Sequence, residues 1–274
     1  MPLITLTSDI GAQDYLVGAV KGRLLQANPS STIVDITHQL PPFNYPQAAY
    51  VCRNAIRNFP EGSFHLVLVN LFDSRPDNLI IALHKQQYIA CANNGLLTMI
   101  LEEKPEEFVG ITLDKNQHRH TLYFAELLGK CINALHSGAS LENIGDQNVE
   151  LREKNPLKPL MGADWIEGQI IFIDHFENVI VNITREQFEE QRKGRNFRIV
   201  FKRDEIIDKI SESYADVPES EKLALFNAAG YLEIAINKGN AAGLFGLQGF
   251  AEQYQNSTYL QNRLFYQTVK IYFV

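Results

Sequence analysis

Apolar and polar positions follow two periods along the first half of the chain. Short runs of branched and aromatic residues, typical of strands, alternate with stretches in which apolar residues recur every three or four positions, the spacing of an amphipathic helix. The run at 64–69 is apolar almost throughout, as expected of a strand covered on both faces. This order predicts a layered, Rossmann-like α/β domain with a parallel or mixed sheet. The predicted strands are 3–8, 32–37, 64–69, 79–83 and 88–92, and the predicted helices are 16–24, 48–56 and 121–136.

The pattern changes after a segment rich in lysine and proline. Residues 154–165 include Pro156 and Pro159, which predict an extended linker between a first domain, 1–153, and a second, 166–274. Beyond the linker, short strands predominate, with a helix only at 185–191. This spacing is typical of a small antiparallel β-barrel or sandwich. The predicted strands are 168–174, 179–183, 197–201, 232–236 and 269–274.

Composition narrows the classes of partner. The chain carries 25 Lys and Arg against 32 Asp and Glu, a formal charge of −7. Nucleic acids and anionic membrane surfaces attract the opposite balance, so we expect neither as a partner. The sequence has no run of roughly 18 apolar residues, so we expect no membrane span, and its first residues do not resemble a secretory leader. Cys52, Cys91 and Cys131 are widely spaced, as expected of free thiols in a reducing cytoplasm.

The common chemical signatures are missing from the sequence. It contains no phosphate-binding Walker loop, no dinucleotide-binding glycine motif, no zinc-protease motif, no nucleophile elbow and no paired C-x-x-C. His118 and His120 are the only histidines close together, and they fit either a metal pair or a solvated basic loop. The chemistry therefore has to be sought in less common constellations.

Two carboxylates follow the first predicted strand. Asp9 stands at its carboxyl end, where ligands gather in open α/β sheets, and Asp14 lies at the start of the next helix. One carboxylate could accept both O–H bonds of a ribose diol, and the other could bind an ammonium group. Alternatively, Asp9 caps the helix and Asp14 interacts favourably with its amino end.

A second set of polar residues lies in the second domain. Asp174 and Asn178 flank a turn between two predicted strands, where Asp174 could hold an ammonium and Asn178 an adenine edge. Alternatively, Asn178 only forms the turn, and Asn182 is a strand residue on the polar face. Asn240 and Ala241 belong to a stretch of small residues that could either let a ligand approach the backbone or form an ordinary turn.

Taken in order, these stretches resemble one family, the S-adenosyl-L-methionine (SAM) hydroxide adenosyltransferases, or SAM hydrolases, which are relatives of the fluorinating and chlorinating SAM enzymes. The resemblance spans nearly the whole chain. The matching stretches are 7–11 (TSDIG), 14–18 (DYLVG), 33–38 (IVDITH), 94–98 (NGLLT), 174–182 (DHFENVIVN), 214–218 (YADVP), 230–235 (GYLEIA) and 239–242 (GNAA).

The resemblance implies an N-terminal α/β domain, a C-terminal β-barrel, and a homotrimer whose sites lie between one subunit's first domain and a neighbour's second. It implies displacement at ribose C5′ by water, giving adenosine and methionine without a metal or redox cofactor. Carboxylates in a poorly solvated crevice suit a ligand that carries a sulfonium and an ammonium. The implied contacts are Asp9 to the ribose hydroxyls, Asp14 and Asp174 near the methionine amine, Asn178 near adenine, and the backbone of Asn240 and Ala241 at the adenine edge.

The chain departs from the family at the residues that orient the attacking water. The resemblance implies an Asp-Arg-His triad, but the Asp position is Asn70 and the Arg position falls on Asp77. Arg75 lies close by, and His118 and His120 are near the expected histidine. Three hypotheses follow: hydrolysis in a rearranged site that uses Asn70, Arg75 or His120; a non-catalytic binder of SAM or adenosine; or displacement by another nucleophile such as a halide.

Overall fold

The computed structural model describes residues 1–73, 78–202, 205–247 and 267–274. The chain divides into two compact units, Met1–Pro156 and Leu157–Val274. No helix in the described ranges combines the length and apolar character needed to cross a membrane.

The first unit is built on a six-stranded mixed sheet in the order β2-β1-β3-β5-β4-β6. Four neighbouring strands, β2, β1, β3 and β5, run parallel, whereas β4 is antiparallel to both β5 and β6. The strands are β1 (Leu3–Ser8), β2 (Thr32–Thr37), β3 (Phe64–Leu68), β4 (Asn78–His84), β5 (Gln87–Ala92) and β6 (Glu107–Thr112). The predicted α/β class is therefore confirmed.

Helices cover both faces of this sheet. The helices are α1 (Leu16–Ala27), α2 (Tyr45–Ile56), α3 (Leu96–Leu101) and α4 (Thr121–His136). Successive residues of β3 point to opposite faces, so Leu66 packs into the core under α1 and α4 while Val67 packs into the core under α2 and α3. Every residue of β3 is buried, which explains its apolar run.

The order of strands creates a switch point at the carboxyl ends of β1 and β3. The chain leaves β1 for β2 on one side and then crosses to β3 on the other. The connections that follow β1 and β3 therefore diverge, and such divergence opens a crevice where ligands bind in α/β sheets.

Arg53 of α2 terminates the short helix α3. Its guanidinium donates to the backbone carbonyls of Met99 at 2.5 Å and Ile100 at 2.9 Å, and it pairs with Glu102 at 2.8 Å. Arg53 is buried, so these partners are needed to offset the burial of its charge. They also satisfy carbonyls that a helix end leaves without partners.

The second unit is an antiparallel sheet in the order β11-β10-β14-β8-β9-β13-β12, with β7 paired to β8. Ile210, beyond β11, bridges to Ala224 of β12, so the two edges of the sheet approach each other and nearly close a barrel, as predicted. The helix α5 begins with a capping box at Thr184 and places Phe188 in the barrel core. The elements are β7 (Leu160–Met161), β8 (Trp165–Ile173), β9 (Val179–Thr184), α5 (Arg185–Arg192), β10 (Phe197–Lys202), β11 (Glu205–Ile207), β12 (Lys222–Phe226), β13 (Tyr231–Ile236), α6 (Ala241–Leu244) and β14 (Thr268–Phe273).

Candidate functional site

Asp9 bridges the two strand ends at the switch point. It follows β1, is half-buried, and its Oδ2 accepts a hydrogen bond from the backbone N–H of Asn70 at 2.8 Å. Burial raises the pKa of Asp9 above its ordinary value, and the N–H of Asn70 opposes that rise. Asp9 does not cap α1. The carboxylate at the start of α1 is that of the exposed Asp14, whose Oδ1 accepts from the N–H of Leu16, the first residue of the helix, at 2.8 Å.

A chain of polar contacts fixes the loop that carries Asp9. The buried hydroxyl of Ser8 lies 2.8 Å from His38 Nδ1, and His38 Nε2 lies 3.1 Å from a carboxylate oxygen of Asp35. Lys21 pairs with the other oxygen of Asp35 at 2.5 Å. The N–H of Gly11 donates to the carbonyl of His38 at 2.7 Å. The loop after β1 is thus tied to the loop after β2.

Asn70, two residues beyond the end of β3, fixes the backbone of an aromatic residue, Phe43, at the crevice. Only 5% of Asn70 is exposed, and its side-chain Oδ1 accepts from the N–H of Phe43 at 2.7 Å. Both residues have positive φ, +49° for Asn70 and +61° for Phe43, a conformation that non-glycine residues rarely adopt and that clusters at functional sites. The Phe43 side chain is 60% exposed. The sequence reasoning did not identify Phe43, since no local spacing marks it.

Tyr45 and Asp73 form a hydrogen-bonded pair next to Asn70. The Tyr45 hydroxyl donates to Asp73 Oδ2 at 2.7 Å, and Lys154 Nζ lies 3.9 Å from the centre of the Tyr45 ring. Burial and the hydrogen bond to Asp73 raise the pKa of Tyr45 well above its ordinary value. The Asp9 carboxylate raises it further while the Asn70 side chain opposes the rise, so all four groups lie within electrostatic reach of one another.

Asp73 also lines a cavity of about 1110 Å³ in the first unit. The segment 149–154 forms one wall of this cavity, and Asn78, Asn93 and Asn94 at the ends of β4 and β5 form another. Asn94 is anchored there because its side-chain amide donates to the carbonyl of Asn70 at 3.1 Å. Asp73 and Asn94, which both bond to the Asn70 carbonyl, therefore link the end of β3 to the wall of this cavity.

Of the other residues predicted to orient the water, the structure describes His120 but not Arg75. His120 is exposed and caps α4, where its Nδ1 accepts from the N–H of Tyr123 at 3.1 Å. Its ring stacks on His118 with the centroids 5.6 Å apart. In the described ranges no hydrogen bond or ion pair joins His120 to Asp9 or Asn70. Arg75 lies outside the described residues.

In the second unit, Asp174 organises the turn between β8 and β9. Its Oδ1 accepts from the N–H groups of Phe176 at 2.9 Å and Asn178 at 2.8 Å, and its Oδ2 accepts from the Asn178 amide at 3.0 Å. These bonds leave the Phe176 ring 74% exposed while Asn178 is buried. Asn182 is also buried, bonded to the N–H of Gln169 and the carbonyl of Leu157.

The segment around Asn240 lies beside this turn. Asn240 is exposed and caps α6, accepting from the N–H of Gly243 at 2.6 Å, whereas Ala241 is buried. The N–H of Ala242 donates to the carbonyl of Glu177 at 2.9 Å. The structure thus brings together Asp174, Asn178 and the stretch from Asn240, which the sequence reasoning chose separately.

Two further residues of the second unit belong to this cluster. The Tyr214 hydroxyl donates to Glu233 on β13 at 2.7 Å, and only 3% of Glu233 is exposed. Burial raises the pKa of Glu233, the Tyr214 hydrogen bond opposes the rise, and the nearby charge of Asp174 adds to it. Both residues occur in stretches that carry the family resemblance, 214–218 and 230–235, but neither stretch indicated a pair.

Comparison with known proteins places these two units in context. Residues 4–145 match the N-terminal domain of SAM hydroxide adenosyltransferases, and residues 168–252 match the C-terminal domain. The chain is 28% identical to an (R)-S-adenosyl-L-methionine hydrolase of Methanocaldococcus jannaschii, over 90% of this chain and 93% of that protein. It is likewise 28% identical to a fluorinase of Nocardia brasiliensis, over 90% of this chain and 94% of that protein.

Two solved structures have the same fold. An uncharacterized conserved protein from Thermotoga maritima superposes with a TM-score of 0.80 at 25% identity, covering 99% of both chains. A conserved hypothetical protein from Thermus thermophilus superposes with a TM-score of 0.71 at 23% identity, covering 100% of both chains.

Proposed function

Because the chain belongs to the SAM hydroxide adenosyltransferase family, we propose that it hydrolyses S-adenosyl-L-methionine to adenosine and L-methionine. The observation that carries this proposal is Asp9, a half-buried carboxylate at the switch point of the sheet. A carboxylate has about four lone-pair sites, and the N–H of Asn70 occupies one of them. Enough remain to accept both hydroxyls of a ribose.

The remaining contacts of the ligand follow from charge and shape. Asp14 and Asp174 would lie near the methionine ammonium, since both present carboxylates on loops. Asn178 and the backbone of Asn240 and Ala241 would contact adenine. The exposed ring of Phe43 offers a face on which a purine can stack, a contact typically worth about 1–3 kcal/mol per base.

The reaction is an in-line displacement at C5′. A bond forms between C5′ and the water oxygen while the C5′–S bond breaks, the electron pair moves to sulfur, and one proton is released. Sulfonium is a good leaving group, so the protein's tasks are to align the water with the C–S bond and to remove competing solvent. In place of the triad that the family resemblance implies, Asn70, Arg75 or His120 would orient the water in a rearranged site. The reaction as written uses no metal or redox cofactor.

We further propose that the enzyme is a cytoplasmic homotrimer in which the first unit of one subunit and the second unit of a neighbour together hold the ligand. The three cysteines are all free and buried, which suits a reducing compartment. Light scattering coupled to size-exclusion chromatography measures the subunit number, and a monomer at all concentrations would contradict this assembly.

The activity is tested by incubating the protein with SAM, with and without added halide, and separating the products by chromatography. Adenosine and methionine in equal amounts are the expected result. Unchanged SAM with a measurable heat of binding would make the protein a non-catalytic binder, and a halogenated adenosine would make it a halide transferase. Asp114 is an exposed loop carboxylate of the first unit outside the proposed site, so the Asp114→Asn variant should turn SAM over as fast as wild type.

A further inference from the structure

The described part of the crevice in the first unit lacks a carboxylate at the position where the family resemblance implies one. Asn70 stands there, and a neutral amide does not act as a proton acceptor near neutral pH. Asp9 is committed elsewhere, because its Oδ2 already accepts from Asn70 and the ribose diol uses its other sites. A second carboxylate within reach of Asn70 would therefore change what the site can do.

Asp73 meets this requirement. It closes a turn that begins at Asn70, since its N–H approaches the Asn70 carbonyl at 3.3 Å. It is exposed and lines the cavity whose wall also holds Asn94, the residue that donates to the Asn70 carbonyl. The Tyr45 hydroxyl binds only Oδ2, at 2.7 Å, so Oδ1 is the oxygen that can face a water molecule.

We propose that Asp73, oriented by Tyr45, accepts the proton of the attacking water, in place of the carboxylate that position 70 lacks. This inference rests on the proposed hydrolysis. As the water oxygen bonds to C5′ and the C5′–S electron pair moves to sulfur, Asp73 Oδ1 takes one water proton. The products are adenosine, neutral thioether methionine and protonated Asp73, which then releases its proton to solvent.

Tyr45 and Lys154 are positioning residues in this scheme. The raised pKa of Tyr45 keeps its hydroxyl protonated, so Tyr45 donates and Asp73 accepts. The Lys154 ammonium over the Tyr45 ring adds a cation–π contact, and Lys154 lines the same cavity as Asp73. Lys154 is itself held because the turn at Gly95 leaves room for its stem and Thr98 bonds its backbone carbonyl at 3.0 Å.

The test compares four variants in steady-state SAM hydrolysis. Asp73→Asn should lower kcat by roughly 10²–10⁴-fold, the usual effect of losing a general base, with little change in SAM affinity. Asp73→Glu should retain part of the activity. Tyr45→Phe should lower kcat by roughly fivefold, the equivalent of one hydrogen bond. Asp114→Asn, the control, should match wild type.

A merely structural role for Asp73 is separated by chemical rescue. Turnover by Asp73→Ala should rise with added sodium formate, because a small carboxylate restores the missing acceptor. The melting temperature of Asp73→Ala should be the same with and without formate. No gain with formate, or a kcat of Asp73→Asn within twofold of wild type, overturns the inference. Loss of SAM affinity in step with kcat in Asp73→Asn also overturns it. Wild-type protein that forms no adenosine refutes the proposed function itself, so the two failures are distinguishable.

Discussion

Replacing Asp9 by asparagine is expected to weaken ligand binding and, at neutral pH, to stabilise the free protein. The ligand loses a charged acceptor for its ribose diol. A hydrogen bond to a charged group is worth about 1.5–3 kcal/mol, so the loss of two at the lower bound is about 3 kcal/mol. That corresponds to a Kd raised roughly 150-fold for adenosine or SAM.

The stability change has the opposite sign because burial raises the pKa of Asp9. Between the ordinary value of 3.8 and the raised value, the folded protein binds more protons than the unfolded chain. Stability therefore falls as the pH rises through that window, and the full penalty is present above it. Asparagine removes the buried charge and with it the penalty, so the melting temperature at pH 7 should equal or exceed that of wild type. This advantage should disappear below pH 3.8.

Titration calorimetry with adenosine and 2′-deoxyadenosine measures the binding half of the prediction. Wild type should bind the deoxy ligand more weakly than adenosine, and Asp9→Asn should discriminate much less between the two. Calorimetric melts at pH 7 and pH 3.5 measure the other half. Equal discrimination in both proteins would show that Asp9 does not contact the ribose, and a variant that melts earlier than wild type at pH 7 would refute the stated balance of burial and hydrogen bonding.

Three further substitutions, at Gly95, Tyr214 and Thr184, test individual contacts described above. Gly95 has φ +90°, and an added Cβ would clash with the side-chain stem of Lys154, so Gly95→Ala should cost about 1–2 kcal/mol in denaturant unfolding; an unchanged midpoint would contradict the strain. Tyr214→Phe should cost about 1–3 kcal/mol because it removes one of the donors, beside Asn227, to the buried Glu233 carboxylate. Thermal melts should show a larger deficit at pH 8 than at pH 5, where Glu233 is more protonated, and a deficit independent of pH would count against this. Thr184→Ala removes the capping box of α5 and should cost about 1 kcal/mol, measured as a lower melting temperature, with Thr184→Ser as the control expected to melt as wild type does.

Local periodicity predicts those elements that bury one face. The helix α4 begins and ends where its apolar stripe does, at Thr121 and His136, and the residue before it caps the helix. By contrast, α3 is absent from the predictions because five of its six residues are buried, so no polar face marks a helical period. The strands β6 and β12 were also not predicted. Each begins with a charged residue, Glu107 or Lys222, and each is only five or six residues long.

In the candidate site too, local sequence predicts some residues, whereas others come together only through tertiary packing. The position of Asp9 at the edge of the sheet could be predicted because it directly follows a strand, and the carboxyl ends of parallel strands share one edge of a sheet. Tyr45 and Asp73 are 28 residues apart and meet only through the packing of α2 against the loop after β3, so no sequence spacing reveals the pair. Tyr214 and Glu233, 19 residues apart, are a similar case in the second unit.

The guanidinium of Arg53 makes one cooperative unit out of two helices. A six-residue helix is far too short to persist alone, and α3 depends on α2 for the partners of its last carbonyls. Amide protons of α3 should therefore exchange with solvent only when α2 loosens as well. The helix α2 starts at Tyr45, beside the crevice. Hydrogen-exchange rates measured in α3 would therefore report on local opening of α2 at the crevice, about fifty residues earlier in the chain.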